Sequence, residues 1–124
     1  MSMEEKLLDY RLQGYCCSQI VMEEGLHMLD REDPLMVEAG AGLCFGMNTE
    51  KTCGILTAAA MVLALWDQEQ LAEASRDLME WFEETYGALD CETLLAGNPL
   101  NKVEQCPAMI QAVLGQMQER MELD

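Results

Sequence analysis

The chain lacks several features that mark common classes of protein. Of its 124 residues, 6% are aromatic, seven are Lys or Arg and one is histidine. Its longest apolar run, residues 54–66, is shorter than the roughly 20 residues that a membrane-spanning helix needs. The opening "MSMEEKLLDY" is acidic and has no apolar stretch of the kind found in a signal peptide. These absences predict a cytoplasmic protein whose core is mostly Leu, Met, Ala and Val.

Positively charged residues are also scarce, and their scarcity argues against some classes of binding partner. Asp and Glu number 23, so the formal net charge is −16. Nucleic acids and anionic membrane surfaces both require a basic patch, and we expect neither as a partner. The acidic surface favours a soluble domain, with a basic partner protein as the alternative. The length predicts one domain over residues 1–124.

Several catalytic motifs are missing as well. There is no C-x-x-C, no phosphate-binding loop and no dinucleotide glycine pattern. His27 lies ten residues after Cys17, about 15 Å along a helix, and is expected on the surface rather than as a ligand. Adjacent carboxylates such as Glu23 and Glu24 fit a solvated helix face. Classical hydrolase, kinase and dehydrogenase functions are therefore set aside.

What is present is helical periodicity along the whole chain. The fifth predicted helix, for example, has apolar residues at 71, 74, 78, 82 and 86. Ser2, Asp33 followed by Pro34, and Thr52 are expected N-caps, and Gly87 is an expected stop. The patterning predicts an all-α, compact bundle of about five to six helices. Helical segments are expected at residues 2–14, 16–30, 33–46, 52–66, 68–87, 90–97 and 106–121, with a loop at 98–105.

Four of the six cysteines fall at the predicted starts of helices. Cys17 lies in a first turn, Cys53 and Cys91 follow expected caps, and Cys106 precedes Pro107 and would itself be a cap. The positive end of a helix favours a thiolate, which is the nucleophilic and metal-binding form of cysteine. The alternative is that these cysteines are small buried apolar residues.

The residues around these cysteines resemble a known family. "GYCCSQIV", "KTCGILTAAAMVLAL", "FEETYGALDCETLL" and "EQCPAMIQAV" occur in the order found in the redox-active proteins named for the pattern C, GCAxxG, C, C. The family's four cysteines match Cys17, Cys53, Cys91 and Cys106. Against GCAxxG the chain has "TCGILT", which keeps the cysteine and replaces both glycines. The segment "AGLCFGM" resembles a glycine-rich stretch of the family, with Cys44 as an additional thiol.

Three functions remain open, and the sequence does not decide whether the protein is an enzyme. The first is thiol–disulfide chemistry by the four cysteines with a protein redox partner, Cys53 being the most perturbed thiol and Cys91–Cys106 the readiest disulfide. The second is an iron–sulfur cluster or zinc bound by the same four. The third is an acidic interaction module with passive cysteines. A homodimer is a further expectation. A vicinal Cys16–Cys17 disulfide is disfavoured by ring strain, and the roles of Cys16 and Cys44 are open.

Overall fold

The computed structural model describes residues 2–44, 46–95 and 102–121. Within them the chain is all-α and contains no strand, as the periodicity predicted. Seven α-helices are present among the described residues, and two of the expected helical segments, 33–46 and 90–97, form α-helices of only six and four residues. The helices are α1 (Met3–Leu12), α2 (Cys17–Met28), α3 (Pro34–Ala39), α4 (Gly54–Trp66), α5 (Leu71–Tyr86), α6 (Cys91–Leu94) and α7 (Lys102–Arg120).

Most helix ends lie where the sequence placed them. The Ser2 hydroxyl accepts a hydrogen bond from the backbone N–H of Glu5 at 3.2 Å. The Asp33 carboxylate accepts from Met36 N–H at 3.1 Å, and Pro34 fills the first helical position. Gly87 ends α5 in the left-handed conformation, with φ of 82°. These caps satisfy backbone groups that a helix terminus leaves unpaired.

The cap assigned to Thr52 was wrong. Helix α4 begins at Gly54, and Cys53 is its N-cap. The backbone of Thr52 instead forms an antiparallel bridge with Asp90. The carbonyl of Cys53 accepts from Leu56 N–H at 3.0 Å. Thr52 is therefore engaged in a tertiary contact and does not cap α4. The Cys53 thiol lies at the N-cap position, one position earlier in the helix than the sequence suggested.

The cap assigned to Cys106 was also wrong. Helix α7 begins at Lys102, so Cys106 and Pro107 lie inside it. Residues 102–105, expected in a loop, are helical, while 96–101 lie outside the described residues. Pro107 lacks an N–H and leaves the carbonyl of Val103 without its usual intrahelical donor. The helix continues nevertheless, because its apolar residues from Met109 onward pack into the core.

Helix α4 forms the centre of the core. Ile55, Ala58, Ala59 and Val62 are fully buried, and helices α2, α5 and α7 pack against α4. Gly25 of α2 allows a close approach, since a Cβ there would lie 2.8 Å from a Val62 methyl. Among the described helices, none is long and apolar enough to cross a membrane.

An irregular segment joins α3 to α4. A 3₁₀ turn at Gly40–Leu43 follows α3 directly. Beyond it Gly46, Met47 and Asn48 have φ values of 58°, 58° and 60°. A Cβ at Gly46 would meet the backbone of Lys51, so this position requires glycine. The segment carries Cys44 past the beginning of α2.

Candidate functional site

Three of the four cysteines singled out by the sequence are buried. Cys17 is 6% exposed, Cys53 3% and Cys106 5%, and all three belong to the same apolar core. Cys91 is the first residue of α6, but its side chain is outside the described part of the structure. The contacts between helices determine how the four positions relate.

Cys17 and Cys53 lie at the same level of two parallel helices. Gly25 of α2 faces Val62 of α4, and a Cβ at Gly54 would lie 3.4 Å from the Cβ of Ser18. The two helices therefore run side by side in the same direction, with 18 beside 54 and 25 beside 62. Cys17 and Cys53 immediately precede the first of these pairs. Both thiols are consequently carried by the same end of the bundle.

Helix α7 brings Cys106 to that end as well. Leu63 near the end of α4 and Met117 of α7 line one cavity of about 250 Å³. One face of α7 stays buried from Cys106 to Met117 and α7 packs on both α2 and α4, so it lies alongside α4 and runs in the same direction. Cys106 is eleven residues before Met117, and Cys53 is ten before Leu63. At 1.5 Å per residue these are about 16 and 15 Å, which places the two cysteines at one level.

Cys91 reaches the same end through the backbone that follows α5. The N–H of Cys53 donates to the carbonyl of Leu89 at 2.8 Å, beside the Thr52–Asp90 bridge. The Asp90 carboxylate accepts from Thr93 Oγ1 at 2.7 Å and from Thr93 N–H at 2.9 Å. The hydrogen bond from the Thr93 side chain, with that from its N–H, lowers the pKa of Asp90. The start of α6 is thus held against the start of α4.

The four cysteine positions therefore converge at one end of the bundle, although their electrostatics differ. Cys17 begins a helix of 12 residues, and Cys53 caps one of 13. Both lie where unpaired N–H groups and the helix dipole stabilise a thiolate. Cys106 is more than a turn inside α7 and receives no such stabilisation from its own helix.

The structure also pairs two cysteines to which the sequence assigned no role. Cys16 and Cys44 form a disulfide with their Cα atoms 6.0 Å apart. Both are partly exposed, in contrast to Cys17, Cys53 and Cys106. The buried hydroxyl of Ser18 lies 3.2 Å from Cys16 Sγ and 3.3 Å from Cys44 Sγ, and it donates to the Gly40 carbonyl at 2.7 Å. The sequence offered one weak signal for this pair, a second thiol beside the glycine-rich segment.

Among the described side chains, His27, Glu23 and Glu24 lie away from these cysteines. His27 is exposed, as expected, and pairs with Glu23 at 3.0 Å. Glu24 is buried rather than solvated, since Tyr10 donates to it at 2.9 Å and Lys6 lies 3.9 Å away. Burial, and then the hydrogen bond to Glu24, raise the pKa of Tyr10. Glu24, next to Gly25, lies about 10 Å along α2 from Cys17. It therefore contributes to the contact between α1 and α2 and does not lie at the cysteine end of the bundle.

The described side chains do not supply a metal centre by themselves. Among them, no group of three or more His, Cys, Asp or Glu is arranged to hold a metal ion. The thiol of Cys91 lies outside that set.

Comparison with known proteins places the chain in a family. The family model described as "Putative redox-active protein (C_GCAxxG_C_C)" matches residues 15–120. The chain belongs to this family. The matched range includes all six cysteines, and it extends from the end of α1 to the end of α7. No curated protein and no solved structure matches the chain significantly.

Proposed function

We propose that this member of the C_GCAxxG_C_C family is a cytoplasmic thiol–disulfide redox protein acting through Cys17, Cys53, Cys91 and Cys106. One observation carries the proposal: helix packing and backbone pairing bring the four positions to one end of the bundle. Cys17 and Cys53 each lie at the N-terminal, positive end of a helix of at least 12 residues. Disulfide formation within a protein needs thiols that can approach one another and a stabilised thiolate, and these two observations support both requirements.

The reaction uses two thiols of the protein and one disulfide of a redox partner. After local opening of the core, the Cys53 thiolate attacks one partner sulfur, and the other partner sulfur leaves as a thiolate that takes up a proton. A second thiolate among the four then attacks Cys53 Sγ and releases the second partner thiol, and exchange with a third thiol transfers the disulfide from Cys53 to the Cys91–Cys106 pair. Two electrons pass to the partner, and the two protons come from the two thiols of this protein.

A separate experiment identifies which two cysteines form the disulfide. Our sequence-based prediction is that Cys91–Cys106 is the disulfide that forms most readily, and a disulfide containing Cys53 is the other outcome. Cleavage after Lys and Arg separates these three thiols into peptides 52–76, 77–102 and 103–120. Mass spectrometry of the linked peptides after oxidation with oxidised dithiothreitol identifies the pair directly.

The experiment that decides the function compares the natural protein with Cys53→Ser, starting from protein isolated without oxygen and fully reduced. We expect oxidation to form one disulfide among the four cysteines in the natural protein and at least about tenfold less in the variant. Circular dichroism shows whether the variant is folded. A matched control is Cys16→Ser, which removes a thiol outside the proposed set.

Two other outcomes would overturn the proposal. Near-stoichiometric iron or zinc in the oxygen-free preparation, with the four thiols protected from alkylation, would establish a metal or cluster protein. No disulfide among the four under any oxidant, with metal absent, would leave an acidic interaction module with passive cysteines. Size-exclusion chromatography with light scattering tests the homodimer that we expect.

A further inference from the structure

We propose that Cys16 and Cys44 form a second redox site, a reversible dithiol–disulfide pair at the surface that exchanges electrons with an accessible disulfide of a partner. The pair lies outside the four cysteines that name the family. It stands on its own geometry and does not depend on the function proposed above.

Access distinguishes this pair from the buried thiols. Cys16 and Cys44 are both partly exposed, whereas Cys17, the next residue after Cys16, is 6% exposed. Thiol–disulfide exchange requires in-line approach of one sulfur to another, so exposure controls which sulfur reacts. A partner disulfide can reach the Cys16–Cys44 pair without opening the core.

The surroundings also stabilise the reduced form. Cys16 is the N-cap of α2, so a thiolate there lies at the positive end of a 12-residue helix. The Ser18 hydroxyl lies 3.2 Å from its sulfur and can turn from the Gly40 carbonyl to donate to a thiolate. The carbonyl then still has a donor, because Cys44 Sγ is 3.9 Å from it. Cys16 is accordingly the attacking thiol and Cys44 the resolving thiol.

The fold does not need this disulfide to hold the two segments together. Gln19 of α2 donates to the carbonyl of Val37 at 3.2 Å, a contact that does not involve the Ser18 hydroxyl. Met22 packs so closely on Gly40 that a Cβ there would lie 2.8 Å from its sulfur. These contacts keep α2 against the 3₁₀ turn when the disulfide is open, so both redox states can be folded.

The exchange between the Cys16–Cys44 dithiol and the partner disulfide has two steps. The Cys16 thiolate attacks one sulfur of the partner disulfide, and the other partner sulfur leaves and takes a proton. The Cys44 thiolate attacks Cys16 Sγ of the mixed disulfide, closes Cys16–Cys44 and releases the second partner thiol, which also takes a proton. The protein loses two electrons and two protons, and the partner gains both. The structure shows the oxidised product of this reaction.

The test uses Cys44→Ser and Cys16→Ser, a matched pair because each loses the same disulfide and keeps one of its two thiols. Each folded, reduced variant is mixed at pH 7 with bis(2-hydroxyethyl) disulfide, and adducts are followed by mass spectrometry. We expect Cys16 in Cys44→Ser to form its mixed disulfide about tenfold or more faster than Cys44 in Cys16→Ser. Peptide 12–31 carries Cys16 and peptide 32–51 carries Cys44, and fragment ions separate Cys16 from Cys17.

A second experiment, on the natural protein, tests the reversible disulfide even if a variant does not fold. We expect dithiothreitol to reduce Cys16–Cys44 with no change in the far-ultraviolet circular dichroism, and the probe to restore it without a lasting adduct. A pair reduced only in denaturant, or equally slow adduct formation in both variants, would show a structural disulfide and overturn the proposal. The four-cysteine function is read on peptides 52–76, 77–102 and 103–120 and on Cys17, which fragment ions distinguish from Cys16 in peptide 12–31, so failure of either proposal is recognised separately.

Discussion

The described cysteines form two groups whose environments differ. Cys17, Cys53 and Cys106 are enclosed in the apolar core. Cys16 and Cys44 are partly exposed and joined by a disulfide. Cys16 and Cys17 are neighbours in the chain, yet they belong to different groups.

The comparison shows that a helix N-terminus does not by itself define a reactive thiol. Cys16 and Cys17 share the dipole of α2, and Cys53 has that of α4. The dipole stabilises the thiolate in each case, but burial opposes the charged form and blocks approach. Access therefore distinguishes the two groups, and we expect the enclosed thiols to react only with their own neighbours or after local opening.

The largest expected effect is on alkylation rates. In the fully reduced, folded protein, Cys17, Cys53 and Cys106 should react with iodoacetamide at least about 100-fold more slowly than Cys16 and Cys44. Local opening that costs about 3 kcal/mol is enough for this ratio. Pulse alkylation followed by tryptic mass spectrometry measures all the rates on one sample. Comparable rates for the two groups in folded protein would remove the distinction.

A smaller effect, on the free energy of unfolding, is expected from substitution of Gly54 at the start of α4. An added Cβ would overlap the carbonyl oxygen of Leu43 and touch Ser18, so Gly54→Ala should lower the free energy of unfolding by about 1–3 kcal/mol. Gly115→Ala is the control, because Gly115 lies exposed in α7 with no atom within 4 Å of an added Cβ. That change should stabilise the helix by about 0.5–1 kcal/mol. Urea unfolding measures both, and equal destabilisation would contradict the close approach.

The smallest effect concerns Asp90, which caps the helix that begins with Cys91. Its pKa is lowered from 3.8 mainly by the Thr93 side chain. A lowered folded pKa adds stability above the unfolded pKa, and this is lost as pH falls through the folded value. The advantage of the natural protein over Asp90→Asn should thus be full above about pH 5 and shrink below about pH 4.

The control for Asp90 is Asp67→Asn. The pKa of Asp67 is also lowered, chiefly by the Gln70 side chain, but Asp67 lies just after α4 at the other end of the bundle. Both variants should lose a similar pH-dependent increment in urea unfolding between pH 2 and 6. Alkylation of Cys91 should rise only in Asp90→Asn. A rise in both variants would indicate general destabilisation rather than loss of the α6 cap.

Much of the secondary structure was accessible from local pattern. Ser2, Asp33 and Gly87 act through groups within three or four residues, so their roles are encoded in the sequence around them. The apolar spacing of α5 likewise predicted its buried face, which contains Ala74, Leu78 and Phe82. Periodicity and capping are local properties, and the chain follows them.

The two errors in capping have a common cause. Thr52 is drawn into pairing with Asp90, 38 residues later, and Cys106 lies within a helix whose start the rule for proline placed too late. The first outcome depends on pairing with a distant residue, and the continuation of α7 through Pro107 depends on apolar residues that pack into the core. A single-sequence rule that considers only flanking residues has no access to them.

The sequence by itself determined that this protein is helical, strongly acidic and supplied with four cysteines in the order of its family, because composition, period and motif order are properties of the chain alone. Only the tertiary structure decided which thiols are enclosed, which end of the bundle carries them, and that Cys16 pairs with Cys44 across 28 residues. The physical reason is that burial and sulfur–sulfur proximity arise from the packing of α2, α4 and α7 and from the turn at Gly40. Neither is a property of any one segment.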